Sequence, residues 1–215
     1  MTQSGYSVLV FDLDGTLVDT MDDYADMAAQ LMETHFGTPR QQARSDYFAT
    51  SGLPFEQQLR QLYPARPAQQ TGAVAEAFET WKDGYLAAVS LPDAVAALFA
   101  QWRAEGFKIA ISSNNMEVYV DRLARDWPVD HALGYRPQDG FGKGEAHFAA
   151  LEARFDTPRS QFLFTGDSPN DARIAAACGV AFRALLTGAF VAGDFRRIDP
   201  DIVLLTSLCG LPSTF

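Results

Sequence analysis

Two carboxylates lie two residues apart at the end of an apolar run. Residues 6–13 (YSVLVFDL) are rich in β-branched and aromatic side chains, which predicts a buried strand of a parallel sheet. Asp12 and Asp14 end this strand, and residues at this spacing on a strand point to the same face. Two negative charges this close are costly unless a cation or a shared proton relieves them. The pair therefore predicts either an ordinary Asp-Gly turn with Gly15 or a site that holds a cation.

A second group of polar residues follows the strand predicted at residues 107–112 (FKIAIS). Ser112 ends this strand, and Ser113 and Asn114 come next. Asn114 and Glu117 together form a capping-box pattern, which predicts that a helix begins here. The free N–H groups of a helix N-terminus favour an anion, although capping alone also explains these residue types.

A third group combines one lysine with two further carboxylates. Lys143 lies in a glycine-rich stretch (GFGKGE) that lacks the spacing of a dinucleotide loop or a P-loop. Asp167 follows the strand predicted at residues 161–166 (QFLFTG), and Asp171 comes four residues later. Helix capping from Ser168 explains part of this second pattern, and a solvated surface position is the plain alternative for the lysine. An ammonium group beside the carboxylates would instead offset their charge and that of an anionic substrate.

The elements that must position these residues alternate between strands and helices. This alternation predicts an α/β fold with a doubly wound parallel sheet, in which ligands bind beyond the carboxyl ends of the strands. The three polar groups are therefore expected to meet at one edge of the sheet. Between residues 17 and 91 the pattern changes to three amphipathic helical stretches. We expect a Rossmann-like core of residues 1–16 and 92–215 and an inserted α-helical domain of residues 17–91.

The string FDLDGTLVDT resembles the first motif of the haloacid dehalogenase superfamily, a hydrophobic strand followed by DxDGT. The resemblance implies that Asp12 attacks phosphorus and forms an aspartyl-phosphate. It also implies that Asp14 protonates the leaving oxygen, later activates water, and binds the metal through its backbone carbonyl. Gly15 would let the backbone turn tightly next to the phosphate. Such covalent catalysis divides one difficult displacement into two easier steps.

Two later segments are similar to the second and third motifs, in the family's order. The resemblance implies that Ser112, with Ser113 and Asn114, binds the transferring phosphoryl group. It implies that Lys143 neutralises the nucleophile and the phosphoryl oxygens. Gly144 stands where the family usually has proline, so the loop around the lysine departs from the family pattern.

The segment FTGDSPNDARIAAACG is similar to the fourth motif of the family. There the resemblance implies that Asp167 coordinates Mg²⁺ together with Asp12, and that Asp171 supports the site. Mg²⁺ keeps several waters and prefers one or two carboxylates plus phosphate oxygens, which suits this set. The expected cofactor is therefore Mg²⁺.

The predicted insert lies where family members with a helical cap carry theirs, among them the phosphoglycolate phosphatase-like members. Only 23 residues separate Lys143 from Asp167, which leaves no room for a second large cap there. Residues 50–55 (TSGLPF) resemble the cap loop that contacts substrate in relatives, and Asp19 and Thr20 lie at the expected hinge. Ordinary loop and capping roles explain these positions as well.

Composition and charge narrow the expected partners. The chain of 215 residues is 47% hydrophobic and 20% charged, as is typical of a globular protein. Its net charge of −10 argues against nucleic acid or an anionic membrane as a partner. The resemblance implies a small phosphorylated metabolite as the substrate, and we expect a monomer or a homodimer. Cys178 and Cys209 form no disulfide framework, and the sequence has neither a signal peptide nor an 18-residue apolar window, so we expect a cytoplasmic protein. His35, His131 and His147 lack metal-site spacing and are expected in packing or surface roles.

Two enzymatic functions share all these motifs. One is a phosphatase, and the other is a sugar phosphomutase similar to β-phosphoglucomutase. The predicted insert lacks an obvious cluster of cations for a second phosphate, and its cations include Arg40, Arg44 and Arg60. Asp14 argues against a dehalogenase or a phosphonatase, because those members carry another residue there. A non-catalytic binding protein is disfavoured because every catalytic position is present.

Overall fold

The computed structural model describes residues 5–214. The chain forms two compact units, which we call the core unit (Met1–Val18 with Ser90–Phe215) and the helical unit (Asp19–Val89). The helical unit contains helices α1 (Met21–Phe36), α2 (Arg40–Ala49), α3 (Phe55–Leu62) and α4 (Ala68–Leu86). The core unit contains α5 (Asp93–Ala104), α6 (Glu117–Ala124), α7 (Glu145–Phe155), α8 (Pro169–Cys178) and α9 (Ala192–Arg196), with short 3-10 helices at Arg159–Gln161 and Leu208–Thr214.

A six-stranded, all-parallel sheet forms the centre of the core unit. The strands are β1 (Val8–Phe11), β2 (Lys108–Met116), β3 (His131–Tyr135), β4 (Phe162–Gly166), β5 (Ala181–Leu185) and β6 (Val203–Leu205). Their order is β3-β2-β1-β4-β5-β6, so β1 lies between β2 and β4. The chain order reverses direction at β1, and in open sheets of this kind the ligand crevice lies at such a switch point. The predicted α/β fold with a doubly wound parallel sheet is confirmed.

Both faces of the sheet are buried, which explains the continuous apolar strands. Side chains alternate between the two faces of a strand. On one face the Phe11 ring packs against Phe99 and Trp102 of α5, with ring centroids 4.9 and 6.0 Å apart. On the other face, Val10 belongs to a cluster with Phe148 of α7. Parallel sheets are found almost only where helices cover both faces in this way.

The helical unit is organised around aromatic side chains. Tyr24, Phe55 and Phe78 are at most 4% exposed, and the rings of Phe55 and Phe78 lie 4.3 Å apart. Three of its four helices match the predicted stretches, whereas α2 was not predicted. Only Ala43 and Tyr47 of α2 are buried, so its sequence carries too little apolar periodicity to indicate a helix.

The predicted helix start at Asn114 is wrong. β2 continues to Met116, and α6 begins at Glu117 with no side-chain cap. The side chain of Asn114 does not cap a helix, because its Oδ1 accepts a hydrogen bond from the backbone N–H of Lys143. A tertiary contact has therefore replaced the local capping pattern.

No helix in residues 5–214 is both long and apolar enough to cross a membrane.

Gly134 of β3 allows the start of α6 to pass close to the strand. A Cβ atom at this position would lie 2.4 Å from Cα and 2.7 Å from N of Glu117. Both atoms belong to the backbone, so a Gly134→Ala substitution forces β3 and α6 apart. We expect it to lower the free energy of unfolding by about 2–3 kcal/mol, measured by urea denaturation.

Gly193→Ala is the matched control for this prediction. Gly193 lies in α9, and nothing lies within 4 Å of a Cβ built there. Alanine is the better helix former, so the control is expected to be neutral or slightly stabilising. Equal effects of the two substitutions on the free energy of unfolding would contradict the prediction that the close contact at Gly134 stabilises the fold.

Candidate active site

Three buried carboxylates meet at the carboxyl ends of two neighbouring strands. Asp12 follows β1 and Asp167 follows β4, and these strands are adjacent and parallel. Asp171 lies in the first turn of α8. One oxygen from each of the three groups lies within 4.8 Å of the others. The three residues are at most 7% exposed, so their charges are largely shielded from water.

Lys143 bridges two of these carboxylates. Its Nζ lies 2.7 Å from Asp12 Oδ1 and 2.8 Å from Asp171 Oδ1, and its side chain is 2% exposed. Burial by itself lowers the pKa of the ammonium group, but the charges of Asp12 and Asp171 outweigh that effect and raise it well above the usual range. The lysine is therefore a buried cation and not a solvated surface residue.

Lys143 lies in the loop of residues 136–144 between β3 and α7, which we call the lysine loop, and its backbone is fixed by a hydrogen bond. The Lys143 N–H donates to Asn114 Oδ1 at 2.9 Å. Gly142 is needed beside this bond, because a Cβ there would lie 3.1 Å from Asn114 Oδ1 and 3.0 Å from the Tyr135 ring. Gly144 has φ +124°, a conformation that proline cannot adopt. The glycine that replaces the family's proline thus gives this loop a different backbone path into α7.

The N-terminus of α8 serves as a helix cap and as part of the site. Ser168 and Asp171 form a reciprocal capping box, and Pro169 occupies the first helical turn, as the sequence predicts. Asp171 also accepts from Lys143 through its other carboxylate oxygen. Gly166 makes room for it, since a Cβ at this position would lie 2.7 Å from Asp171 Oδ2. The capping role and the role in the site are therefore not alternatives.

The turn after β1 presents Asp14 separately from the carboxylate cluster. Gly15 has φ +77°, which favours glycine, and its N–H donates to the carbonyl of Val18 in a tight turn. Asn115 Nδ2 donates to Asp14 Oδ2 at 3.1 Å. Asn115, which the sequence analysis did not select, therefore orients the second carboxylate of the DxD pair.

The cluster has the properties of a divalent cation site. Three carboxylates face one ammonium group, which leaves a formal excess of two negative charges. Thr16 Oγ1 donates to Asp167 Oδ1 at 2.9 Å, whereas the buried Asp167 Oδ2 has no hydrogen-bond partner among the described residues. A buried carboxylate oxygen without a donor is costly, and oxygen ligands of this kind are those that Mg²⁺ prefers. The donor set present here therefore fits Mg²⁺.

The raised pKa values of two of these carboxylates also indicate a site for a cation. Burial, ahead of the charge of Asp171, raises the pKa of Asp167 to about 7. Burial also raises the pKa of Asp12 well above its usual range, even though Lys143 opposes this shift. Both carboxylates would be held in the ionised form by a cation bound between them.

The hydroxyl groups of Ser112 and Ser113 have different partners. Ser112 is fully buried, and its Oγ lies 2.9 Å from Nδ1 of His147. Ser113 Oγ accepts from the backbone N–H of Asn115 at 3.0 Å. The two serines are therefore not equivalent as donors to a ligand.

The structure brings together most of the predicted site residues. Asp12, Lys143, Asp167 and Asp171 form one cluster, and the contact of Asn114 with the backbone of Lys143 joins β2 to the lysine loop. Asp14 and Ser112 have contacts of their own outside that cluster. The contacts of Thr16, Asn115 and His147 were not predicted from the sequence. The threonine of the DxDGT string was the only one of these with a sequence signal.

The fold and the site define an α/β enzyme with a lysine-bridged acidic centre at the edge of a parallel sheet. The sequence matches the haloacid dehalogenase-like hydrolase family over residues 6–179. This match covers most of the chain, so the chain belongs to the haloacid dehalogenase-like hydrolase family. The predicted resemblance and the predicted hydrolase class are confirmed.

Relatives cover nearly the full chain. A phosphoglycolate phosphatase from Vibrio vulnificus strain YJ016 is 26% identical over 214 residues, which are 94% of this chain and 93% of that protein. A phosphoglycolate phosphatase from Pseudomonas syringae pv. tomato is 26% identical over 231 residues, covering 95% and 83% of the two chains. Among solved structures, a haloacid dehalogenase-like family hydrolase from Streptococcus pneumoniae superposes with a TM-score of 0.77 at 18% identity, covering 98% and 99% of the chains. That likeness shows the shared fold.

Asp167→Asn is expected to raise the stability of the protein without metal and to remove most of the stabilisation that Mg²⁺ provides. Without divalent cations, the substitution removes a buried carboxylate whose raised pKa shows that its ionised form is disfavoured. We expect the free energy of unfolding at pH 8 to rise by about 1–3 kcal/mol. With Mg²⁺ at about 100 times its Kd, the wild type gains about 2.7 kcal/mol, and the variant gains much less. Urea denaturation in EDTA and in MgCl₂ measures both changes.

Asp156→Asn is the matched control for this prediction. Asp156 is exposed at the end of α7 with φ +49°, a conformation that asparagine also tolerates. The control is expected to keep the full Mg²⁺-dependent gain. An equal gain in Asp167→Asn would mean that Asp167 does not bind the cation.

His147 makes stability depend on pH. Burial lowers the pKa of this fully buried histidine from 6.5 to about 3. Between these values the unfolded chain binds a proton that the folded chain does not, so stability is lost as the pH falls below 6.5. From pH 7 to pH 5 we expect the wild type to lose about 2 kcal/mol more than His147→Asn. The exposed His35 provides the control, since His35→Asn is expected to follow the wild type in urea denaturation at both pH values.

Proposed function

We propose that this chain is a Mg²⁺-dependent phosphatase that hydrolyses a small phosphomonoester through an aspartyl-phosphate on Asp12. The observation that carries the proposal is the position of the Asp12 carboxylate, which lies at the end of β1 against a buried ammonium group, within a DxDGT string. A carboxylate nucleophile for phosphorus needs a nearby positive charge, because both reactants are anionic.

In the first proposed step, a carboxylate oxygen of Asp12 attacks phosphorus. The bond between phosphorus and the ester oxygen breaks, and Asp14 gives its proton to the leaving oxygen. Asn115 supports this role because its amide holds one oxygen of Asp14 at 3.1 Å and so orients the carboxyl group. Lys143 offsets the negative charge of Asp12 while the phosphoryl group approaches.

In the second proposed step, water attacks the phosphorus of the aspartyl-phosphate. Asp14, now ionised, accepts a proton from this water, and the bond between phosphorus and the Asp12 oxygen breaks. Inorganic phosphate leaves, and Asp12 is again a free carboxylate. The same Asp14 therefore acts first as an acid and then as a base.

Asp12 and Asp167, with the backbone carbonyl of Asp14, are the proposed ligands of Mg²⁺, and Asp171 supports them through Lys143. When bound, the cation supplies positive charge for the phosphoryl oxygens and for the carboxylates. The buried Asp167 oxygen without a hydrogen-bond partner among the described residues supports this assignment.

Ser113 and Asn114 are the proposed contacts of the phosphoryl group, and Gly15 is proposed to let the backbone turn tightly next to it. Ser112 was the first expectation from the sequence for this role. The direction of the hydrogen bonds favours Ser113 over Ser112. The Ser113 hydroxyl accepts from the backbone N–H of Asn115 and keeps its own proton for donation. Ser112 faces His147 and contributes to the site indirectly.

Residues 17–91 are proposed to serve as a cap that excludes water during the first step, as in family members with a helical cap. Thr50 and its neighbours up to Phe55 are the proposed substrate-contacting loop of this cap. The buried Gln58 supports such a role, since it bonds Thr50 Oγ1 and the Leu53 carbonyl, each at 2.9 Å, and so fixes the shape of the loop. Asp19 and Thr20 are the proposed hinge.

The names of the relatives from Vibrio and Pseudomonas make 2-phosphoglycolate the first substrate to test. A sugar phosphomutase needs cations that hold a second phosphate. Arg44 is paired with Asp22 and Asp26, and Arg60 is paired with Glu56. These pairs support phosphate release over phosphate transfer within a sugar.

A panel of phosphorylated metabolites tests the proposal. With Mg²⁺ we expect release of inorganic phosphate from 2-phosphoglycolate or another small phosphomonoester, and no conversion of α- or β-glucose 1-phosphate to glucose 6-phosphate. Asp12→Asn is expected to lower kcat by at least about 1,000-fold, because the nucleophile is lost. Phosphate release is followed colorimetrically, and isomerisation is followed by a coupled assay.

Asp156→Asn is the control for the substitution of Asp12 and is expected to keep wild-type rates. Activity that survives Asp12→Asn would reject the proposed nucleophile. Rapid isomerisation of a glucose 1-phosphate would replace the phosphatase by the phosphomutase.

A further inference from the structure

A fully buried histidine joins three segments that surround the site. His147 lies in the first turn of α7, shortly after Lys143. Its Nδ1 lies 2.9 Å from the Ser112 hydroxyl at the end of β2, and its Nε2 lies 3.1 Å from the Gly134 carbonyl oxygen of β3. Its ring also packs against Phe141 in the lysine loop, with ring centroids 4.6 Å apart.

The partners of His147 fix its tautomer. A carbonyl oxygen only accepts, so Nε2 must carry the proton that is donated to Gly134. Nδ1 of a neutral ring is then an acceptor, and the Ser112 hydroxyl must donate to it. The ring is neutral at physiological pH, because burial lowers the pKa of His147 to about 3. The single proton of Ser112 is therefore directed to the histidine and away from any ligand.

Hydrogen bonds connect the end of β2 to the lysine loop and to the helix that follows it. One is the bond from Ser112 to His147, which lies in the helix that follows the loop. Another is the bond from the Lys143 backbone to Asn114 Oδ1 at 2.9 Å. Between these contacts lies Ser113, whose hydroxyl keeps a proton for donation. The pairing of β2 with β3 changes register after Ser112, so the ladder alone does not hold this segment in place.

We propose that His147 is a positioning residue that holds the end of β2 in register with the lysine loop, so that Ser113 and Lys143 face one phosphoryl group. The proposal rests on the proposed phosphatase function. His147 does not touch substrate, and it acts through Ser112 and the backbone of β3. Without it, the bond between Asn114 and the Lys143 backbone must join these segments without the support of the bond to Ser112.

The expected effect is on the rate of the chemical step. Misplacing a reacting or binding group by about 1 Å can cost about 100-fold in rate, so the loss of one of these links is expected to cost about tenfold in kcat. His147→Leu removes both hydrogen bonds and replaces the ring by an apolar side chain of similar size. His147→Asn keeps an acceptor near the position of Nδ1, and it is expected to retain more than about a third of the wild-type kcat.

Ser112→Ala and the double variant Ser112→Ala/His147→Leu complete the test. If His147 acts through Ser112, the two changes are coupled, and the double variant loses no more kcat than His147→Leu alone. If Ser112 were itself the phosphoryl ligand, the two losses would multiply. Multiplied losses would overturn the proposal, as would a kcat of His147→Leu equal to that of the wild type.

Leu151→Ala controls for a loss of stability alone. Leu151 lies one turn further along α7 and is fully buried in the apolar cluster of the core unit. It is expected to lower stability and to leave kcat unchanged when rates are measured well below the unfolding transition, with the folded fraction checked by circular dichroism. A tenfold drop of kcat in Leu151→Ala as well would reduce His147 to a purely structural residue.

The failure of this proposal can be distinguished from the failure of the proposed function. All variants are assayed on a substrate that the wild type hydrolyses and Asp12→Asn does not. If no phosphomonoester meets that condition, the proposed function is rejected first. If one does, the His147 and Ser112 variants decide on the positioning role alone.

Discussion

A buried ammonium group held between two carboxylates is the constraint on which the site depends. A charge away from water is stable only when it is paired and hydrogen-bonded, and Lys143 meets this condition through Asp12 and Asp171. These partners come from the end of β1 and the first turn of α8, while the lysine comes from the loop before α7. The pairing therefore fixes three separate elements of the core unit relative to one another. Because Asp167 lies in the same cluster, the carboxylates carry a formal excess of negative charge, which a bound cation would balance.

The sheet topology explains how much could be predicted from the sequence. Parallel strands place their carboxyl ends at the same edge, and β1 is central, so residues that follow β1 and β4 must lie close together. That rule alone predicted the meeting of Asp12 and Asp167. Lys143 does not follow a strand, and its burial could be expected only from the resemblance to a known family. The alternation of strands and helices predicted the fold for the same reason, since each apolar run needs a covered face.

The end of β2 could not be predicted, because tertiary contacts override its local pattern. Asn114 and Glu117 have the spacing of a capping box, yet β2 continues to Met116. The Asn114 side chain bonds the Lys143 backbone, and the pairing of β2 with β3 shifts register between Ser112 and Met116. A contact between residues 29 positions apart has no signature in a local window. The polar helix α2 was missed for a related reason, since two buried residues give too weak a period.

Several polar groups of the site are hydrogen-bonded to one another, which distinguishes them from groups that are free to bind a ligand. Lys143, Asp171 and Ser168 use their polar atoms on one another, and Ser112 gives its proton to His147. Under the proposed function, such groups set the geometry and charge of the site, which are the same for every phosphomonoester. Discrimination between substrates therefore requires groups outside this network. The helical unit differs from the core unit in this respect, because the hydrogen bonds of Gln58 fix a loop of its own that takes no part in the acidic cluster. Under the proposed function, chemistry and specificity would be encoded in separate parts of the chain, so the motifs that suggest the reaction carry little information about the substrate.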